Sequence, residues 1–195
     1  MNKRRLISAL CAVLACVFCL TGTASATPLA SSGQANVTRY QQEKSNWCWV
    51  ACAKMIGQHM LGASESQTSI YRNTKMTDVV ENKSATNTEM TKAINYALDN
   101  QYYADYANGT VSLSYIKGSI LSDQPLVFKF YTSGYVAHAV VVDAFSQNNI
   151  RIVDPAVGCS SKIFVDYDQA KISVNLLSGR KQWVDTWSIS DTYNW

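Results

Sequence analysis

Pro125 separates two kinds of hydrophobic periodicity, and that division leaves few architectures open. Before it the spacing is helical. Over residues 47–61, Trp49, Cys52, Ala53, Ile56 and Met60 recur at intervals of three and four. Cys48, Ala51 and Met55 make the adjoining stripe apolar as well. Only Lys54 and Gln58 form a polar stripe, so this helix is expected to be largely buried. Gly57 lowers its intrinsic propensity. A shorter helix is expected over 67–73 and another over 113–121. Thr86 and Glu89 form a capping box that opens a helix through Leu98, with Met90, Ala93, Ile94, Ala97 and Leu98 inward. After Pro125, the segments 126–131, 135–145, 150–153, 163–167 and 182–189 are rich in valine, isoleucine and aromatics and predict strands. Gln147-Asn148-Asn149 predicts the turn of a hairpin. Helices followed by a largely antiparallel sheet predict the α+β class. No internal repeat or long linker divides the chain.

The N-terminal segment changes how cysteine and charge are counted. Lys3, Arg4 and Arg5 precede an apolar run over 6–20 broken only by Ser8, and Ala24-Ser25-Ala26 supplies a cleavage site. This predicts a signal peptide over 1–26 and a secreted protein. The 15-residue run falls short of the roughly 20 that a spanning helix needs, so no membrane association is expected after cleavage. Cys11, Cys16 and Cys19 leave with this segment, and Cys48, Cys52 and Cys159 remain. Of the 17 basic residues three also leave, which balances the 14 acidic ones. A neutral chain without a basic run offers no basis for nucleic-acid binding. Residues 27–37 are small and polar and are expected to be a flexible lead-in to one domain over 38–195.

An odd cysteine in a secreted chain draws attention to the thiols. Cys48 lies at the expected start of a buried helix, where the helix dipole and open N–H groups favour a thiolate. Such a thiolate is a nucleophile if a histidine meets it. The chain has two histidines. His59 is eleven residues further along the same helix, about 16 Å away at the helical rise, too far for proton transfer. His138 interrupts the apolar stretch Val136-Ala137-His138-Ala139-Val140, where a polar group needs a reason. It is either the general base or a hydrogen-bonded core histidine. Asp154 ends the strand that the hairpin folds back beside His138. It can orient the imidazole, or it is an ordinary Asp-Pro turn. Gln42, six residues before Cys48, can add its amide to the Cys48 N–H as an oxyanion hole, or it is a plain loop residue. Asp143 reads as a solvated strand-end residue.

Gln42-Glu43-Lys44-Ser45-Asn46-Trp47-Cys48-Trp49-Val50-Ala51, followed by His138 in its strand and by Asp154-Pro155, resembles the papain-like cysteine peptidases. The compact bacterial type is nearest: peptidase C39-like and AvrRpt2-like. The order of elements agrees over 37–189, and the sharp motifs cover about 25 residues. The resemblance implies a papain-like catalytic domain over 38–195, with the Cys helix packed on an antiparallel sheet that carries His and Asp. It implies Cys48 as nucleophile, His138 as general base and acid, Asp154 as orienter and Gln42 in the oxyanion hole. There are departures. Aspartate stands where larger papain relatives use asparagine. Cys48 and His138 are 90 residues apart, which requires trimmed lobes. Ala137 and Asp143 stand where relatives often have glycine.

The activity so implied is cysteine-peptidase hydrolysis of a peptide or protein through an acyl-enzyme. Acyl transfer to an amine and a catalytically idle binding or toxin-like module are the other readings of the same fold. No cofactor is implied. Cys52, His59 and Cys159 lack the paired spacing of a metal site. Cys52 and Cys159 are either bridged, leaving Cys48 free, or respectively buried and unpaired. The 27–47 segment is too short for the long inhibitory pro-segment of larger relatives. Control is therefore expected from redox state, a separate protein inhibitor or narrow specificity. The 63–85 tract and the 181–189 strand are the expected walls of the cleft.

Overall fold

The computed structural model describes residues 30–63, 65–131, 137–158, 162–176 and 179–191. The expected signal peptide, residues 135–136 of the expected histidine strand, and Cys159 with its expected bridge to Cys52 lie outside these residues. In chain order the elements are β1 (Ser32–Gln34), α1 (Cys48–Leu61), α2 (Gln67–Lys75), α3 (Asn87–Ala97), β2 (Tyr103–Asn108), α4 (Leu113–Leu121), β3 (Leu126–Tyr131), β4 (Ala137–Ser146), β5 (Asn149–Val153), β6 (Ile163–Asp166), α5 (Tyr167–Ile172), β7 (Val174–Leu176) and β8 (Gly179–Ser190). The α+β expectation holds. The strands run antiparallel in the order β2-β8-β3-β4-β5-β6, with β1 on β4 and β7 on β8.

The sheet has a hydrophobic core on each face. Ala139 and Val141 of β4 join Val127, Trp187 and Ile189 under α1, α2 and α3. Val140 and Val142 join Phe128, Phe145 and Ile152 under α4 and α5. Successive strand residues point to opposite faces, so a strand covered on both sides reads as an unbroken apolar run. Each large side chain so buried contributes about 1.5–3 kcal/mol.

The helix starts follow local chemistry. Thr86 caps α3 in a complete capping box with Glu89, as the sequence predicts. Ser66 caps α2 and Ser112 caps α4 through their side chains. α1 differs, because Trp47 at its N-cap makes no side-chain cap hydrogen bond. Trp47 is instead fixed by tertiary contacts. It is fully buried, stacks on Tyr71 at 4.9 Å and donates its indole N–H to the Glu81 carbonyl at 2.9 Å. α1 packs on α3 and β4. Gly57 makes the first of these contacts possible, since a Cβ there would lie 2.4 Å from the Ala97 carbonyl oxygen.

Two expectations are corrected. The second half of the 27–37 lead-in is docked. Ser32–Gln34 pairs with β4 at positions 144–146, on the edge that β3 leaves beyond Val142, and Ala35 and Val37 are buried. Asp143, expected at a solvated strand end, is fully buried at a β-bulge where the β4–β5 register shifts. The bulge turns its carboxylate into a polar knot. Arg151 donates to it twice, at 2.7 and 3.0 Å, Lys162 at 2.7 Å and the Val37 amide at 3.1 Å. Its carbonyl accepts from the Ala35 amide at 2.7 Å. The knot thus holds the N-terminal segment in place.

Candidate active site

Antiparallel pairing brings the start of β4 beside the end of β5, so the expected hairpin carries Asp154 to His138 across 16 residues. His138 Nε2 and Asp154 Oδ1 are 2.7 Å apart, and both side chains are buried. Asp154 is itself held firmly. Its Oδ1 accepts the Ala156 amide at 2.8 Å, and its carbonyl accepts Arg39 Nε at 2.6 Å. Arg39 also reaches the Ala156 carbonyl at 2.6 Å. The imidazole is also hydrogen-bonded to the Cys48 side chain. Cys48 opens α1, whose first turn contains no acidic residue to offset its positive end.

The electrostatics follow from these contacts. Burial raises the Cys48 thiol, but the His138 hydrogen bond and charge, with the Ala139 and Trp49 backbone N–H groups, more than offset it. The net shift is downward. Burial likewise opposes charge on His138, yet Asp154 and Cys48 raise it to about 9. The two shifts favour a thiolate–imidazolium pair. Cys52 lies one turn along α1 as a fully buried free thiol. Burial pushes it well up, and the charges of Cys48 and Asp154 add to the effect, so it is a poor nucleophile. His59 sits in the last turn of α1 with Nε2 3.1 Å from Asp123 Oδ1, away from Cys48.

Gln42 reaches the same cleft but not in the expected posture. Its Nε2 donates to the carbonyls of Lys44 at 2.9 Å and Ser45 at 2.7 Å, so both amide protons are spent. Its Oε1 is buried without a hydrogen-bond partner. The expectation of Gln42 as an oxyanion donor is therefore corrected for this conformation. The turn before α1 presents both carbonyls to Gln42, and that of Lys44 also accepts the Trp47 amide at 3.0 Å. The Gln42 backbone N–H bonds the Pro155 carbonyl at 2.9 Å, tying this loop to the Asp-Pro turn.

Cys48, His138 and Gln42 line one cleft of about 540 Å³. Ser84 and Ala85 from the 63–85 tract and Lys181 and Trp187 from β8 form parts of its walls, as expected for those two segments. One contributor carries no signal in the sequence: Arg39 is 115 residues from Asp154, whose carbonyl it binds. Among the described residues no group of three or more His, Cys, Asp or Glu is placed to hold a metal ion. No described helix is long and apolar enough to cross a membrane.

Comparisons with known proteins bear on the fold and the family. A C39-like peptidase from Bacillus anthracis is 17% identical, with a TM-score of 0.53 over 82% of this chain and 98% of that one. The peptidase domain of Streptococcus ComA, a bifunctional ABC transporter of a quorum-sensing pathway, is 13% identical, with a TM-score of 0.55 over 79% and 98%. Xylellain, a cysteine protease from Xylella fastidiosa, is 13% identical, with a TM-score of 0.56 over 85% and 87%. At these identities the likeness establishes the fold. No curated protein matches in sequence. The model of the Peptidase_C39 like family matches residues 34–175, which takes in Cys48, His138 and Asp154. With most of its length matched by that model, the chain belongs to the Peptidase_C39 like family and has the fold of the papain-like cysteine peptidases.

Proposed function

We propose that this chain is a secreted cysteine peptidase in which Cys48, His138 and Asp154 hydrolyse peptide bonds through an acyl-enzyme. The observation that carries the reading is the line from the half-buried thiol to the buried imidazole and carboxylate, ending in the 2.7 Å contact between His138 and Asp154. Secretion rests on the basic, apolar and A-x-A pattern of residues 1–26. The thiolate of Cys48 attacks the scissile carbonyl carbon, and the carbonyl electron pair moves onto oxygen. The Cys48 backbone N–H at the helix start receives that oxyanion. Its collapse breaks the C–N bond, and His138 passes its proton to the departing amine. A water molecule, deprotonated by His138, then attacks the thioester. The adduct collapses, its C–S bond breaks, the acid product leaves and the Cys48 thiolate returns beside the protonated His138. Asp154 holds the imidazole by Nε2 and stabilises its charged form.

Active-site titration with an iodoacetamide or epoxysuccinyl reagent, read by mass spectrometry, tests the assignment. One label per chain is expected, absent from Cys48→Ala. A label that persists in that variant rejects Cys48. Cleavage of a diverse peptide library is expected to vanish in Cys48→Ala. Products joined to added amines in place of hydrolysed ones would identify acyl transfer instead.

A further inference from the structure

We propose that Lys181 is a specificity-determining residue whose ammonium recognises a carboxylate of the substrate peptide. The ligand's being a peptide rests on the function proposed above. Lys181 lies early in β8, paired with Val174 of β7, and the next residue pairs with Tyr131 of β3. Its backbone is therefore held on both sides. Its side chain lines the cleft with Cys48 and His138, yet is only 2% exposed. A lysine usually buries its stem and keeps its ammonium in water. Here the stem is buried in the cleft wall, and no described residue hydrogen-bonds or ion-pairs with the ammonium.

The other charges at the cleft are already matched. Lys129 pairs with Asp185 and donates to Asn87. His138 is held by Asp154 and Cys48. The described lining residues include no aspartate or glutamate. Burial pulls the Lys181 pKa down, opposed by the more distant charges of Cys48 and Asp154. An ammonium in the cleft wall without a direct partner offers an incoming carboxylate a charge-assisted hydrogen bond. Trp49, Met90, Tyr131 and Trp187 offer apolar surface nearby. The favoured ligand is thus a peptide with a carboxylate next to an apolar side chain. The carboxylate comes either from an internal Asp or Glu or from the chain end.

The test measures binding separately from turnover. Fluorescent peptides are titrated into the full chain carrying Cys48→Ala. Glu is exchanged for Gln at each position, and free C-termini are compared with amidated ones. At one position, or at the terminus, the carboxylate peptide is expected to bind about tenfold or more tightly. The preference should weaken with salt, disappear in Lys181→Met, survive in Lys181→Arg and turn toward lysine peptides in Lys181→Glu. In the Cys48-containing chain, Lys181→Met should abolish the preference for acid peptides while Cys48 is still alkylated. Equal affinity for acid and amide peptides everywhere, or a preference that persists in Lys181→Met, overturns the proposal. So does a slowed alkylation with no change in peptide preference, which would make Lys181 a thiolate-stabilising residue. A charge-dependent binding preference without any cleavage would support Lys181 while rejecting the peptidase reading.

Discussion

Burial opposes charge on both Cys48 and His138, yet each is charged because the other is. The sign sets the pH behaviour. The thiolate forms below its ordinary value of 9.0, and the imidazolium keeps its proton up to about 9. Alkylation and cleavage should therefore rise at a pH below 9, and cleavage should fall above about 9 as His138 loses the proton it gives the leaving amine. Asp154→Asn removes the carboxylate that raises His138, so the basic limb should move to lower pH. A fall in kcat of about 10²–10⁴ should accompany it, read from pH–rate profiles. Gln42 gives a contrary prediction. Removing a working oxyanion donor costs about 10²–10³ in kcat. With both its amide protons held by the Lys44 and Ser45 carbonyls, Gln42→Ala should cost less than about tenfold in kcat. A loss of 10² or more would show that the amide turns toward the substrate.

At the scale of single elements, propensity and packing disagree at Gly57. Alanine would favour the helix by about 1 kcal/mol. Its Cβ would instead press into the Ala97 backbone of α3, so Gly57→Ala should destabilise the protein by about 1–3 kcal/mol in denaturant unfolding. Thr86→Ala, which breaks the capping box, should cost about 1 kcal/mol. The same contrast explains which elements were legible. The α3 cap and the β4–β5 turn are written in neighbouring residues, and both are found where expected. β2 was not, because only Ala104 of its six residues is buried and no alternation reaches the sequence. α5 and β7, of six and three residues, are too short for a period to show. β1 is made entirely by its pairing with β4.

For the molecule as a whole, Asp143 links the N-terminal segment to the sheet. Removing one member of a buried ionic cluster costs about 3–5 kcal/mol, because its partners are left uncompensated. Asp143→Ala should lower stability by that amount and speed hydrogen exchange at the Val37 amide, which loses its carboxylate acceptor, and at the Ala35 amide as the segment loosens, although its acceptor is the backbone carbonyl that alanine keeps. If those amides stay protected, the knot is not what holds the segment. Sequence alone determined the α+β class, the thiol at the head of a buried helix, and the candidacy of His138 and Asp154. Those signals lie in spacing, caps and turns within a few residues. Tertiary structure decided the postures: Gln42 turned to its own loop, Asp143 buried and Arg39 bracing the Asp154 turn. Each depends on groups joined by folding, often more than 100 residues apart, or on how many donors a crowded turn consumes, and local pattern encodes neither.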